Sequence, residues 1–441
     1  MPNVKQIKTR AERIFYGWWI VAGGFGIQML VTSLVFHSFT AYFPLLQAQF
    51  GWSRTLLSGA YSLSRAESGL LGPIQGWLIE KFGPRAIIRL GVVMLGLGFM
   101  LFSQIDSVLS YYLTYTLMAI GASLATYLTV SSTVVNWFVK KRALAIGLTM
   151  SGFGFGGLLV PFVAWSLLTF GWRATAFYSG VLILLLGLPI AQIMRRAPEE
   201  YGYLPDGEIE NDADRTAASH LAEERAATAA LRGEPADFTL REAMRTSSFW
   251  LLSVGHGLAV LTVGAVSLHL IPHVVDRAGL SIPTAAGAVA AMTAFNIVGQ
   301  LGGGLLGDRV SKRAVAAGCM LLHSAAMIIL AYATSIVPVF IFAVMHGLAW
   351  GTRGPMMTTI RADYFGRTHF ASIMGFSSLI VMLGMISGPL FAGFMADIAD
   401  GYTTGFVVIA FLTATGSIFF LLSTKPKQPL ASRLPSDALS P

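Results

Sequence analysis

Twelve runs of roughly 20 apolar residues recur along the chain, centred near Gln28, Gly69, Leu95, Leu124, Gly156, Leu184, Ala259, Phe295, Leu322, Trp350, Leu383 and Phe411. A run of that length carries an α-helix across about 30 Å of hydrocarbon. Inside hydrocarbon every backbone amide must find its partner within the protein, so such runs fold as helices. Only 12% of the residues are charged, against about 25% in a soluble domain. The 47 glycines suit closely packed membrane helices. Cys319 is the only cysteine, which excludes a disulfide framework and a thiol metal site. The first run follows a basic N-terminus, is too long for a signal h-region and lacks a small-residue cleavage site. It reads as an uncleaved helix.

The net charge of +8 does not form a nucleic-acid patch, because its position follows the runs. Of 30 Lys and Arg, 25 fall at the two termini, in a polar stretch near the middle, or in alternate loops. The opposite loops hold only Arg54, Arg173 and Arg277. By the positive-inside rule both termini and the central stretch are cytoplasmic. The chain divides into a cytoplasmic N-terminus (1–16), six helices (17–194), a cytoplasmic linker (195–245), six more helices (246–424) and a cytoplasmic tail (425–441). Within the linker, SHLAEERAATAALRG has the composition of a surface helix, but a solvated linker is the simpler reading.

The halves repeat each other. GWLIEKFGPR, from Gly76 to Arg85, recurs as GLLGDRVSKR, from Gly304 to Arg313, and Pro161 and Pro389 share the offset of 228. Two six-helix units that start on the same side form a parallel repeat, with the substrate site between them near mid-membrane.

The pattern G-x-x-x-[DE]-[KR]-x-G-x-R, met as Gly76, Glu80, Lys81, Gly83 and Arg85, with a degenerate copy at Gly304, Asp308 and Arg309, resembles the loop motif of the major facilitator superfamily. YGWWIV, NWFVKKRALAIGLTMSG and FTLREAMRTSSFWLL are similar to bacterial relatives of monocarboxylate transporters and oxalate/formate antiporters. The resemblance implies an all-α membrane fold of two pseudo-symmetric six-helix bundles, with a cavity lined by helices 1, 4, 7 and 10. It also implies a cytoplasmic gate at Gly76, Glu80, Lys81, Arg85, Gly304, Asp308 and Arg309. One departure stands out. Monocarboxylate carriers typically place an arginine on helix 8 and often a lysine on helix 1, whereas this chain has no charge between Thr284 and Leu306 or between Gly17 and Ala41.

Charges inside the runs mark function, because each costs at least about 2.5–3.5 kcal/mol to insert. Arg65, Glu67 and Arg353 fit. Arg361 and Asp363 lie nearer the cytoplasmic end, where snorkelling makes them cheap. Arg65 and Glu67 are about 200° apart on a helix and do not pair directly. Arg65 shares the stripe of Gly69, Gly72 and Gly76, and is expected to face the cavity. Glu67 is the candidate for a coupling proton. Arg353 shares a face with His346, Trp350 and Met357. Its planar fork accepts a carboxylate bidentately and keeps its charge. Tyr127 on helix 4, Gln28 on helix 1 and Asn296 on helix 8 complete the substrate-binding set. Gly152, Gly154 and Gly157 form G-x-G-x-x-G inside a membrane helix, which signals helix packing rather than a dinucleotide site.

These readings converge on a secondary transporter of a small organic anion, most simply a monocarboxylate, working by alternating access with a proton as candidate coupling ion. It is expected in a bacterial inner membrane, as a monomeric functional unit, with no cofactor, metal or nucleic acid. Anion exchange and export of another solute are the alternatives. No H-E-x-x-H, no nucleotide-binding P-loop and no cluster of catalytic groups argues for an enzyme. A non-transporting sensor would need an output domain that the linker is too short to supply.

Overall fold

A computed structural model describes residues 14–207, 237–399 and 401–429. The proposed surface helix in the linker lies outside the described residues, as does the side chain of Arg65. The chain crosses the membrane twelve times. Span 1 is Tyr16–Val31, prolonged by a π-helical turn at Thr32–His37. Span 2 is made of Arg54–Leu70 and Gly72–Phe82, span 3 is Pro84–Phe102, and span 4 is made of Val108–Ala125 and Tyr127–Trp137. Span 5 begins with Arg142–Gly157 and continues into the helix Val160–Ile193. That helix turns at Gly171, whose φ of 77° an L side chain rarely adopts, and its remainder is span 6. Spans 7 to 12 are Ser247–Ala278, Ile282–Gly307, Lys312–Ala331, Ile336–Phe365, Phe370–Ile398 and Thr403–Leu422.

Ten segments among the described residues are long and apolar enough to span on their own. Twelve crossings result because the segment Arg142–Ile193 holds spans 5 and 6, while span 2 is split into helices of 17 and 11 residues.

Each half has its own apolar core. In the first, Ile88, Val92, Leu95, Phe99 and Tyr111 are buried together; in the second, Val266, Met327, Leu330, Phe342 and Phe406. The halves meet through spans 2 and 11 and spans 5 and 8. Glycine lets backbones touch there: a Cβ on Gly375 would lie 2.1 Å from the Gly72 carbonyl oxygen, and one on Gly147 would lie 2.4 Å from that of Gln300. Gly152 and Gly154 of the G-x-G-x-x-G sequence also sit at close helix contacts, against Phe25 and Ile297.

The linker fastens to each half at equivalent places. The Asp206 carboxylate accepts the amides of Val139, Lys140 and Lys141 at 3.0, 2.8 and 3.1 Å. Asp237 accepts those of Arg367 and Thr368 at 2.9 and 3.0 Å. Val139 and Arg367 are separated by the repeat offset of 228.

Candidate functional site

A cavity of about 320 Å³ lies between the halves. Gln28, Thr32 and Phe36 of span 1, Gln75 of span 2, Thr126 and Tyr127 of span 4, His256 of span 7, Asn296 and Gln300 of span 8 and Trp350 of span 10 contribute to its wall. Four residues read from the sequence thus come together: Gln28, Tyr127, Asn296 and Trp350. Gln28 is held by its own bond, Nε2 donating to the Thr149 carbonyl at 3.0 Å. The Tyr127 hydroxyl meets Thr358 Oγ1 across the halves at 3.1 Å. Gln300 Nε2 donates to Asn296 Oδ1 at 2.9 Å, leaving Asn296 Nδ2 and Gln300 Oε1 without partners among the described residues.

Two helices break beside this cavity. Span 1 widens into its π-turn at Thr32, whose hydroxyl donates to the Phe153 carbonyl at 3.3 Å. Such turns often sit at functional sites. Span 4 is interrupted at Thr126 (φ −112°, ψ −126°). The carbonyls freed there are taken up by side chains. Thr126 Oγ1 donates to Ala122 O, Gln75 Nε2 to Ser123 O and Thr129 Oγ1 to Leu124 O, at 2.7, 2.8 and 2.7 Å.

The charges divide differently from the sequence reading. Arg353 is 1% exposed, and its Nε and Nη1 have no hydrogen-bond partner among the described residues. It does not form the cavity wall itself. Span 10 turns Trp350, Gly354 and Thr358 toward the first half, where Gly354 faces Met150 and Thr358 meets Tyr127. Arg353 starts on the flank of that face, with Cys319 and Tyr127 among its electrostatic neighbours. His346, expected on the cavity wall, is fully buried instead: its Nδ1 lies 3.2 Å from Nδ1 of His323 on span 9. One ring donates and the other accepts. His346 shares the stripe of Trp350, its ring 6.4 Å away, but one turn along the helix that stripe meets His323 of span 9, and it is Trp350 that reaches the cavity.

Glu67 is partly buried, and both its carboxylate oxygens are shielded and without a hydrogen-bond partner among the described residues. Arg361 corrects the snorkelling expectation. It is 1% exposed, and Nη2 donates to the Leu252 carbonyl at 3.2 Å and to Ser377 Oγ at 2.9 Å, while Nη1 donates to Met357 O at 2.9 Å. Ser377 also lines the cavity, so a second buried cation stands one hydroxyl away from it. Asp363 is partly buried and paired with Arg142 at 2.6 Å and Lys312 at 2.8 Å.

On the linker side the two motif acids cross between halves. Glu80 Oε1 accepts the Ser372 amide at 2.8 Å, and His369 Nδ1 lies 3.4 Å from Oε2. Asp308 accepts the amides of Ala143 and Leu144 at 2.9 and 3.0 Å, at the N-terminus of span 5. Burial pushes the Asp308 carboxyl above its usual range, and those two amide bonds oppose the shift. Gly76 and Gly304 provide clearance: a Cβ on Gly76 would be 2.5 Å from Ala371 O, and one on Gly304 would be 2.9 Å from Ala143 O. The motif's basic residues do not cross. Lys81 lies over Trp77 at 4.7 Å, Arg85 Nε donates to Met194 O at 3.1 Å, and Arg309 is exposed. Arg142 to Asp363 and Arg367 to Glu199 and to the Asn136 carbonyl complete the latch between the halves.

Comparison with known proteins agrees with this architecture. The model of the Major Facilitator Superfamily matches residues 21–302 and 252–439. The oxalate:formate antiporter of Oxalobacter formigenes is 25% identical over 90% of this chain and 88% of its own. Monocarboxylate transporter 13 of Bos taurus is 25% identical over 92% of this chain and 89% of its own. Among solved structures, the human organic anion transporter MFSD10 superposes with a TM-score of 0.71 at 16% identity, covering 92% of this chain and 99% of that one. The proton:xylose symporter XylE does so with a TM-score of 0.72 at 14% identity, over 96% and 99%. With the repeat, the latch motif and the mid-membrane cavity in place, the chain belongs to the Major Facilitator Superfamily.

Proposed function

We propose that this protein is a secondary active transporter of a small organic anion, a monocarboxylate in the simplest case, and that it works by alternating access. The observation that carries this reading is Arg353, a permanent cation buried beside the inter-half cavity with two guanidinium nitrogens unmatched among the described residues. Buried arginines are ordinarily paired. One left open beside a cavity is suited to a carboxylate brought by the ligand. The relatives named for oxalate, formate and monocarboxylates support the same class.

Trp350, Tyr127, Gln28 and Asn296 are assigned to the substrate. Arg65 contributes positive potential from span 2, and His346 positions span 10 through His323. Glu67, shielded and without an acceptor or donor partner among the described residues, carries a coupling proton. The latch through Glu80 and Asp308 closes the side that holds the linker, which the distribution of Lys and Arg makes cytoplasmic. The described state is then closed to the cytoplasm. The functional unit is a single chain in a bacterial inner membrane.

Exchange of one anion for another is the second reading, favoured by the antiporter relative. Reconstituted vesicles test both. Uptake of labelled lactate or formate accelerated by an inward proton gradient supports symport. Uptake only against preloaded anion supports exchange. No flux of any carboxylate, with another solute transported, refutes the assignment.

A further inference from the structure

The interruption of span 4 leaves an asymmetry. The carbonyls at the end of Val108–Ala125 are answered by Thr126, Gln75 and Thr129. The amides that begin Tyr127–Trp137 are not answered in the same way. The first amides of a helix have no acceptor within it, and the N-cap residue here makes no side-chain cap bond. Thr126 is a residue type that ordinarily caps. Its hydroxyl is instead committed backwards, to Ala122 O at 2.7 Å. The result is an 11-residue half-helix whose positive end opens at mid-membrane, with Thr126, Tyr127 and Leu128 all on the cavity wall.

A second observation points to a ligand in the same cavity. Asn296 is 4% exposed, lines the cavity and has its Nδ2 donor unpartnered among the described residues. The conclusion survives an amide flip. If both Asn296 and Gln300 are reversed, Gln300, 5% exposed, presents the free donor instead. Either way the cavity on which the half-helix opens is also lined by one buried amide donor without a partner among the described residues.

We propose that the uncapped N-terminus of the half-helix Tyr127–Trp137 is an anion seat, and that it grips the substrate carboxylate together with the Asn296–Gln300 amide pair. A helix N-terminus aims several amides and a partial positive charge at one point. It stays neutral overall, so it adds attraction without adding another buried ion to the membrane. Gln75 is the positioning residue. By bonding both Ser123 O at 2.8 Å and Thr129 Oγ1 at 3.1 Å, it spans the break and fixes the angle of the lower half-helix. This inference rests on the organic-anion reading and says which backbone the anion meets.

The test places an acceptor of the protein's own on those amides. Thr126→Asp supplies a carboxylate as internal competitor, and Thr126→Asn supplies a neutral cap of nearly the same shape. Thr126→Ser keeps the hydroxyl that bonds backwards and leaves the amides open. Dissociation constants for formate, lactate and oxalate are measured by calorimetry on full-length protein in detergent, with Arg353→Gln alongside. The expected result is at least a tenfold loss of affinity in Thr126→Asp, about a threefold to tenfold loss in Thr126→Asn, and none in Thr126→Ser. A capping residue with only a structural role predicts the reverse, because Asn there stabilises the helix and leaves affinity unchanged. Should Thr126→Asp fail to fold, the neutral Asn variant decides. Parental affinity in Thr126→Asn, with affinity lost in Arg353→Gln, overturns the seat and leaves the organic-anion reading intact. If the parent binds none of the three probes but transports another solute, the reading and the seat fall together.

Discussion

Replacing Arg353 with Met separates binding from folding. A guanidinium with 1% exposure, whose Nε and Nη1 find no partner among the described residues, carries a desolvation cost that is not fully repaid. Substituting an apolar side chain of similar length removes that cost, and such exchanges are often neutral or stabilising by about 1–4 kcal/mol. The ligand-free Arg353→Met protein should therefore melt at or above the parental temperature. Binding should move the other way. A charge-assisted contact to a carboxylate is worth about 1.5–3 kcal/mol, which is roughly a 10- to 150-fold loss of affinity. Arg353→Lys should recover part of that, since the ammonium keeps the charge and loses the fork. The assay is a thermal-shift series on monodisperse protein with increasing lactate or formate, because a ligand that binds only the folded state raises its apparent stability. Parent and Lys variant should show a ligand-dependent shift, and the Met variant should need roughly 10- to 150-fold more ligand for the same shift. A Met variant that melts well below the parent would show that Arg353 holds the fold together. One that folds and binds with parental affinity would remove Arg353 from the site.

Other perturbations probe other parts. Glu67→Gln should abolish acceleration of uptake by an inward proton gradient while exchange counterflow persists; unchanged gradient dependence excludes Glu67 as the carrier. Gly375→Ala, with no room for its Cβ against the Gly72 carbonyl, should hold the linker side ajar. In a Cys319→Ser background, a cysteine placed at Ser372 should then react faster with a membrane-impermeant maleimide added on that side. Closure of the latch holds the Asp308 carboxyl above its usual range, so closure takes up protons. That contribution is fully present at low pH and is lost as pH rises through the raised value. Linker-side acidification should thus slow labelling at the same reporter, and Asp308→Asn should flatten this dependence. Equal slopes in both proteins would refute it.

The parts visible in the sequence are those that rest on local pattern. Run length gave the spans, and the 228-residue offset gave the halves. Polar residues inside apolar runs pointed to Gln28, Tyr127 and Asn296, since a helix crossing the membrane pays for each of them, and the stripe of Arg353 pointed to Trp350. What stayed hidden depends on a third element. Arg361 sits near the end of its helix, where depth alone suggests water. Phe238, buried against Phe365 with its amide on the Phe365 carbonyl, covers that end instead. His346 looked like a cavity residue because its partner His323 lies 23 positions away on another span. The break at Thr126 carries no Gly or Pro within SLATYLTV to announce it. It exists because Gln75, from span 2, offers the freed Ser123 carbonyl a donor.

The glycine contacts between spans 2 and 11 and between spans 5 and 8 carry a kinetic consequence. Where Gly72 meets Gly375 and Gly147 meets the backbone of Gln300, the touching surfaces are largely main chain. Interdigitated side chains must leave their rotamer wells before two helices part, and each such rearrangement adds to the barrier. Smooth backbone faces impose little of that friction. Separating the halves at these crossings asks mainly for the rupture of the few polar bonds at the linker end. The rate of opening should accordingly be governed by those bonds, as a hinge pin governs a well-oiled joint, and the seam of small residues sets how freely it swings.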